Sequence, residues 1–158
     1  SGSEFEIEAD LVLLAIGFAT PTKAAPRQES AVATCVAAAG DDFAARRACV
    51  GQVSAACQDE GDGGVTTAGM VMCADRERAQ WEALGNTALV ILRAQESATQ
   101  AAARERALTA HAAAAQERCA YEASRYEGGS MANIAAAACA MDQAADLALM
   151  LHARTLEG

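Results

Sequence analysis

The stretch CAYEASRYEGGSMANIAAAAC, residues 119–139, decides the fold that this sequence predicts. A Gly-Gly-Ser break at residues 128–130 separates two alanine-rich runs, which is typical of a helix end followed by a helix start. Cys119 lies nine residues before this break, and Cys139 lies nine residues after it. Because nine helical residues rise about 13.5 Å, the two sulfurs reach the same height on antiparallel helices. We therefore predict a helical hairpin closed by a disulfide between these cysteines.

The composition of the whole chain favours helices. It has 158 residues, enough for one domain with a hydrophobic core, and contains two prolines and 4% aromatic residues. Alanine is abundant, and alanine-rich, proline-poor sequences form helices readily. Small side chains bury little surface each, so covalent crosslinks stabilise such a core. These features predict an all-α, disulfide-stapled bundle of four to five helices in a domain of residues 31–158.

The net charge of −9 limits the kinds of partner. Nucleic-acid binding needs a basic patch that contacts phosphates, so a strongly acidic chain argues against a nucleic-acid partner. An acidic surface instead attracts basic proteins and raises their rate of encounter.

Six cysteines predict three disulfides. Their number is even, no Cys-x-x-Cys pair occurs, and the chain has two histidines, His111 and His152. Zinc sites usually contain closely spaced ligand pairs, so we expect no metal. Disulfides form in oxidising compartments, which predicts a periplasmic or secreted protein of the bacterial envelope. Six cysteines allow fifteen pairings; because each pair below flanks a predicted break between helices, we favour Cys35–Cys49, Cys57–Cys73 and Cys119–Cys139.

Residues 1–30 differ from the rest of the chain and are interpreted as a leader and linker. Residues 1–3, SGS, are typical of a cloning scar, and residues 11–19, LVLLAIGFA, resemble the apolar core of a secretory signal. Residues 4–10 are acidic, where a signal peptide carries basic residues. The piece EIEADLVLLAIGF also resembles a strand near the end of flavin- and pyridine-nucleotide-dependent oxidoreductases, so a foreign leader and a genuine part of the fold are the alternatives. Nine apolar residues are too few to cross a bilayer, and we expect no membrane span.

Glycine breaks and capping residues divide the helical domain. Asp42 and Thr66 or Thr67 are good N-caps, and Ser97–Gln100 has the form of a capping box. Apolar residues recur every three or four positions in two long helices, which predicts the faces that pack in the core. The single tryptophan is predicted to be the main packing residue. The predicted helices are 31–39, 43–57, 67–96, 98–126 and 131–155; the predicted core positions are Met70, Cys73, Trp81, Leu84, Ala88, Ile91 and Leu92 in the third and Met131, Ile134, Ala138, Met141, Ala145, Leu149 and Leu156 in the last.

Residues 58–66, QDEGDGGVT, form an acidic, glycine-rich loop. The loop lacks the alternating ligands and the closing Glu of a calcium-binding EF-hand loop, so we expect no calcium there. A Cys57–Cys73 disulfide holds the base of the loop, and a preordered protruding loop binds a partner at a lower entropic cost. Asp59, Glu60 and Asp62 are therefore the predicted partner-binding residues. The alternative is a solvated connection with no binding role.

The titratable residues are not spaced in a way that predicts an enzyme. Nucleophilic catalysis needs a thiol or hydroxyl beside a base. His111 is eight residues from Cys119, which is about 12 Å along one helix, and His152 lies near the end of the last helix. Adjacent carboxylates such as Asp59 and Glu60 lie on a loop, which does not position a substrate. We expect neither catalysis nor a cofactor.

Several pieces of the chain together resemble one known family. They are residues 35–51, TTAGMVMC at 66–73, WEALGN at 81–86, Cys119, GGSM at 128–131 and Cys139. With these pieces, which extend over residues 35–152, the chain resembles the LprI-like lysozyme-inhibitor family of secreted bacterial helical domains. Trp81 and Asn86 match the family's Trp and Asn, whereas His111 stands where the family usually has Trp. The resemblance implies an exported protein-binding domain that inhibits lysozyme, a basic protein; the alternative is an envelope structural or stress protein that makes no lysozyme contact.

Overall fold

The computed structural model describes residues 30–61 and 63–157, and these residues fold as the predicted all-α bundle. The predicted leader and linker, residues 1–30, lies outside this range apart from Ser30. Within the range, five helices are at least eight residues long, and one short helix has five residues. The helices are α1 (Ala31–Ala38), α2 (Phe43–Arg47), α3 (Gln52–Asp59), α4 (Thr67–Gln95), α5 (Ala98–Ser124) and α6 (Ser130–Leu156).

Side chains that accept from backbone N–H groups begin several of these helices. Asp42 Oδ1 accepts from two N–H groups of α2, the shorter bond being 2.8 Å. Thr66 Oγ1 accepts from the N–H of Gly69 at 3.0 Å. Ser97 and Gln100 form a reciprocal capping box. Each bond satisfies an N–H group that the first helical turn leaves without a partner, so these three predicted helix starts are confirmed.

One predicted helix is wrong, because residues 43–57 form two helices instead of one. Gly51 adopts a left-handed backbone conformation, with φ at +89°, which glycine tolerates and which ends a helical path. α2 therefore ends at Arg47, and α3 begins directly after Gly51. The break lets the Gly51 N–H donate to the carboxylate of Glu77 on α4, at 2.7 Å.

α4 and α6 form the centre of the bundle and run side by side in the same direction. Gly85 of α4 faces Ala148 of α6 so closely that a Cβ on Gly85 would lie 3.6 Å from the Ala148 Cα. Nearer the C-terminal ends of the two helices, Leu92 packs with Leu151. Small residues at the crossing allow this close approach. The main core cluster contains Val32, Val36, Cys49, Ala74, Trp81, Ala137, Met141, Ala145, Ala148 and Leu149.

The predicted core positions are confirmed in the middle of α4 and α6 and wrong at some of their ends. Trp81 is fully buried, with 0% of its surface exposed. Ile91 is 41% exposed because its neighbour Leu92 occupies the inward position, and successive helical residues differ in direction by about 100°. Met131 and Leu156 are 48% and 55% exposed, since each lies in a terminal turn of α6.

The three disulfides join the predicted pairs. The Cα atoms are 5.9 Å apart in Cys35–Cys49, 5.5 Å apart in Cys57–Cys73 and 5.4 Å apart in Cys119–Cys139. The third bond closes the α5–α6 hairpin, whose turn contains Gly128 with φ at +79°. The prediction of a disulfide-stapled helical bundle with a Gly-Gly hairpin is confirmed.

The prediction that the chain has no membrane span is wrong for one helix. α6 has 27 residues and, by length and composition alone, is apolar enough to cross a bilayer. The nine-residue N-terminal apolar run is too short to span a bilayer, whereas α6 is long enough, and its hydrophobicity comes mostly from alanine, leucine and methionine. In the bundle, α6 packs against both α4 and α5.

Candidate functional site

The loop between α3 and α4 carries the predicted acidic residues. Asp59 is the last residue of α3 and Glu60 is its C-cap, and both are exposed. Asp62, the third predicted residue, lies outside the described residues. Negative groups at a helix C-terminus are opposed by the helix dipole, by about 0.3–1 kcal/mol each. The stability of α3 therefore does not explain why two carboxylates stand here, which points to a role at the surface.

The Cys57–Cys73 disulfide anchors this loop to α4. Cys57 lies on α3, two residues before Asp59, and Cys73 lies in the second turn of α4. Both cysteines are buried, with 6% and 0% of their surface exposed. A buried crosslink at the base of the loop limits the conformations that the free loop adopts, which lowers the entropic cost of binding a partner.

Close backbone packing holds the described part of the loop. A Cβ on Gly69 would overlap the carbonyl oxygen of Gly63, and a Cβ on Gly64 would overlap that of Gln58. The Thr66 hydroxyl donates to the Gly63 carbonyl oxygen at 2.7 Å. The loop backbone therefore lies directly against the first turn of α4 and the end of α3, and this close approach leaves no room for a side chain at either glycine.

One salt bridge crosses the surface beside the loop. Arg76 Nη1 donates to Glu60 Oε2 at 2.9 Å, and the two side chains are 54% and 62% exposed. Ion pairs at such exposure contribute about 0–1 kcal/mol, because water and salt screen both charges. Glu60 is therefore able to exchange Arg76 for a cationic group of a partner at little cost in free energy.

One exposed apolar side chain lies beside these charges, and a second lies elsewhere in the loop. Val65 is 66% exposed in the loop, and Met72 is 61% exposed on α4. Met72, Glu60 and Arg76 line a cleft of about 440 Å³, together with Cys57, three glycines of the loop and the first turn of α4. Unbranched methionine adapts to the shape of a partner, and apolar residues with polar neighbours are typical of protein-binding surfaces. We call Asp59, Glu60, Val65, Met72 and Arg76 the loop surface.

Glu77 is a buried carboxylate that the sequence-based prediction did not include. It is fully buried and accepts from Gly51 N at 2.7 Å, Ser54 N at 2.7 Å and Trp81 Nε1 at 2.9 Å. The first turn of α3 leaves N–H groups without helical partners, and the helix dipole favours negative charge there. Glu77 thus caps α3 from α4 and fixes the helix that leads into the loop surface. A sequence signal existed, because Cys73, Glu77 and Trp81 are spaced four apart and share one helix face.

The described histidines and cysteines provide no paired nucleophile and base. All six cysteines form disulfides, so none supplies a thiol. His111 lines a groove between α4, α5 and α6 that the disulfide-bonded Cys119, two helical turns away, also borders. His152 is half-buried on α6; its burial, and then the positive charge of Arg46, lower its pKa. Within residues 30–61 and 63–157, no three His, Cys, Asp or Glu side chains are grouped to hold a metal ion.

A second cleft, of about 460 Å³, lies at the other end of α4. Met150 and Leu151 contribute apolar surface, and Arg104 contributes a guanidinium. This guanidinium donates to Glu96 at 2.8 Å and to Glu105 at 2.6 Å. The Arg104 side chain is 9% exposed and its charge is paired within the bundle, whereas the Glu60 side chain, although paired with Arg76, is 62% exposed to solvent. The loop surface is the better candidate for binding.

Comparison of the chain with protein-family models, with curated proteins and with solved structures finds no match. The resemblance to the LprI-like lysozyme-inhibitor family therefore stays a prediction, and the function of the loop surface has to follow from its geometry and charge.

Proposed function

We propose that this chain is an exported helical protein-binding domain, similar to the LprI-like lysozyme inhibitors, whose loop surface binds a basic protein such as lysozyme. One observation carries the proposal: Glu60 and Met72 line the same cleft, on a loop that the buried Cys57–Cys73 disulfide anchors. Lysine and arginine combine an aliphatic stem with a cationic head. The stem packs on Met72 while the head forms a charge-assisted hydrogen bond with Glu60.

Long-range charge supports the same partner class. The net charge of −9 attracts a basic protein and raises the rate of encounter, an effect that falls as salt is added. The exposed pair between Glu60 and Arg76 is weak enough to open when a partner cation arrives. The rigid base of the loop then lowers the entropic cost of holding the bound geometry.

The disulfides support an extracytoplasmic location, because three structural disulfides in a small domain are typical of oxidising compartments. The same bonds support binding over catalysis, since they leave no cysteine free to act as a nucleophile. We infer that the protein works in the bacterial periplasm or outside the cell, without a cofactor.

A lysozyme assay tests the proposal. The purified protein is added in rising molar ratio to lysozyme acting on a suspension of cell walls, and we expect the rate of lysis to fall. Glu60→Gln and Met72→Ala each weaken inhibition by roughly tenfold, the effect of a residue near the centre of an interface. Glu117→Gln is the matched control, because Glu117 is exposed on α5 and its substitution removes the same charge away from the loop.

Two outcomes contradict the proposal at different levels. If Glu60→Gln and Glu117→Gln weaken inhibition equally, net charge alone acts and the loop surface is not the binding site. If lysis continues undiminished at high molar excess, lysozyme is not the partner. The alternative, an envelope structural or stress protein, then predicts that a pull-down from periplasmic extract recovers a partner other than lysozyme.

A further inference from the structure

α5 is held on the bundle differently from the other long helices. Its 27 residues include no buried residue, whereas α4 buries eight and α6 buries seven. α5 packs on α6 through half-buried positions that include Leu108, His111, Ala115 and Cys119. Apart from Leu108, which packs against the cluster around Leu92, these contacts come mostly from small side chains. Small side chains remove little apolar area from water, so they hold a helix weakly.

Polar contacts add little to this attachment. Within residues 30–61 and 63–157, no hydrogen bond or salt bridge joins α5 to α6. Near the start of α5, Arg104 Nε donates to Glu96 Oε2 at 2.8 Å, and Glu96 is the C-cap of α4. This contact lies about one helical turn before Leu108 and about four turns before Cys119, so it does not hold the half of α5 that approaches the hairpin. The Cys119–Cys139 disulfide is therefore the principal attachment of that half.

The position of this disulfide makes it accessible. Cys119 is half-buried and borders an open groove of about 300 Å³, together with Ala115 and Ala144. Cys57 borders the cleft beside the loop, but it and Cys73 are only 6% and 0% exposed, so that bond is less accessible than the half-buried Cys119. An attacking thiolate reaches Cys119 from the groove without unfolding of the core, and access of this kind is what thiol–disulfide exchange requires.

The Cys35–Cys49 disulfide also has one half-buried member, but its loss has a different consequence. Val32 and Val36 of α1 are 1% and 2% exposed and belong to the main core cluster. They keep α1 in place when the disulfide is broken. α5 has no such buried residues, so the loss of its crosslink releases the half of the helix that approaches the hairpin.

We propose that the Cys119–Cys139 disulfide is a redox latch, which a dithiol reductant opens and which thereby releases the C-terminal half of α5 while the core formed by α4 and α6 stays folded. One thiolate of the reductant attacks Cys119 Sγ, the bond to Cys139 breaks, and Cys139 leaves as a thiolate that takes a proton from water. The second thiol of the reductant, as a thiolate, attacks the mixed disulfide and releases Cys119, which is protonated in turn. The reductant is oxidised to a disulfide, and two electrons pass to the protein.

Hydrogen exchange on two double variants tests the latch. Cys119→Ala with Cys139→Ala removes the proposed latch, and Cys35→Ala with Cys49→Ala is the matched control. In the first variant, we expect the amides of residues 108–124 to exchange at least roughly tenfold faster, while those around Trp81 and Ala145 keep their protection. In the control, residues 108–124 exchange as in the wild type. The latch is refuted if α5 keeps its protection without the disulfide, or if α4 and α6 lose theirs to the same extent.

A measurement on the unmodified chain covers the case in which a variant does not fold. The protein is treated with limiting dithiothreitol, the new thiols are alkylated, and the labelled cysteines are identified by mass spectrometry. We expect Cys119 and Cys139 to be labelled before Cys57 and Cys73. We also expect trypsin to cut after Arg118, an exposed residue of α5, faster in the singly reduced species. Labelling of Cys57 and Cys73 first, or unchanged cleavage after Arg118, contradicts the latch and leaves the proposed binding function untouched.

Discussion

Replacing Glu77 with glutamine is expected to destabilise the protein by about 2–4 kcal/mol, although the change conserves size and removes a charge from the core. The carboxylate accepts three hydrogen bonds of 2.9 Å or less, from Gly51 N, Ser54 N and Trp81 Nε1. The first donor is the N-cap residue of α3, the second lies in the first turn of α3, and the third is the fully buried indole of Trp81. The substitution therefore affects the junction between α3, α4 and the core.

The magnitude follows from two opposed contributions. Burial of an ionised carboxylate costs several kcal/mol of hydration. Three hydrogen bonds to a charged acceptor contribute about 1.5–3 kcal/mol each, and the dipole of α3 contributes about 0.3–1 kcal/mol more. Glutamine keeps one oxygen but turns the other into an NH₂ donor. At least one N–H group is then buried without an acceptor, which costs about 1–3 kcal/mol, and the remaining bonds lose their charge.

Urea unfolding measures this difference. Far-UV circular dichroism and the fluorescence of Trp81 follow the transition by independent probes, and Trp81 reports on the site directly because it contacts Glu77. Glu82→Gln is the matched control on the same helix. The Glu82 side chain is 53% exposed and its pair with Arg78 spans 3.6 Å, so we expect a change below about 0.5 kcal/mol.

Equal urea midpoints for Glu77→Gln and Glu82→Gln refute the reasoning. Such a result shows that the Gly51 and Ser54 N–H groups find other acceptors, and that the Cys57–Cys73 disulfide fixes α3 without help from Glu77. A loss near 3 kcal/mol with an unchanged slope of the transition instead confirms that the carboxylate acts as a cap across helices.

Three further predictions concern the core, the loop and pH. Trp81→Ala destabilises by about 3–5 kcal/mol, because the indole is fully buried, and a melting temperature equal to that of the wild type contradicts this. Gly69→Ala destabilises the fold by about 1–3 kcal/mol, because the added Cβ overlaps the Gly63 carbonyl oxygen. Urea unfolding measures this loss of stability, and an unchanged midpoint shows that the loop moves freely away from α4. His152 has a lowered pKa in the fold, from burial and from the charge of Arg46, so the unfolded chain binds its proton first as the pH falls below about 6.5. The free energy of unfolding therefore decreases as the pH falls from about 6.5 towards the pKa of His152 in the fold. His152→Gln removes this contribution to the pH dependence. Stability curves of the variant and the wild type that run parallel between pH 7.5 and 5 contradict this prediction.

The features that were predictable from the sequence depend on residues close together in the chain. The α5–α6 hairpin follows from a glycine pair and two cysteines at equal distances from it, and the disulfide forms as expected. The caps at Asp42, Thr66 and Ser97 depend on neighbours within four residues. Local backbone geometry determines such features, and the side chain that satisfies each N–H group is present in the same short stretch.

Glu77 and the break at Gly51 were not predictable in the same way, because they depend on each other across 26 residues. A glutamate on a helix ordinarily faces solvent, and a single glycine inside a helical pattern is often tolerated. The contact between the two residues favours both features, because the turn at Gly51 presents an N–H group and the buried carboxylate of Glu77 accepts from it. The local pattern alone therefore predicts one continuous helix from residue 43 to residue 57.

The loop surface was predictable in its charge and only partly in its contacts. Asp59 and Glu60 are adjacent in the sequence, and the loop between two disulfide-bonded cysteines exposes them. The exposure of Met72 depends on which side of α4 faces the core. The disulfide between Cys73 and Cys57 keeps Cys73 on the buried side of α4. Met72, the preceding residue, therefore points outwards and lines the cleft that Glu60 also lines.

The distribution of burial and crosslinks gives the three disulfides different roles. In an alanine-rich bundle each helix removes little apolar area from water, so each covalent bond is a large part of what holds a segment in place. α1 has buried valines and α3 has the Glu77 cap, so Cys35–Cys49 and Cys57–Cys73 reinforce contacts that exist without them. α5 buries no residue, and Cys119–Cys139 takes the place of the missing core contacts. Reduction of Cys119–Cys139 is thus expected to free the C-terminal half of α5 and to leave the loop surface, which the Cys57–Cys73 disulfide anchors, unchanged.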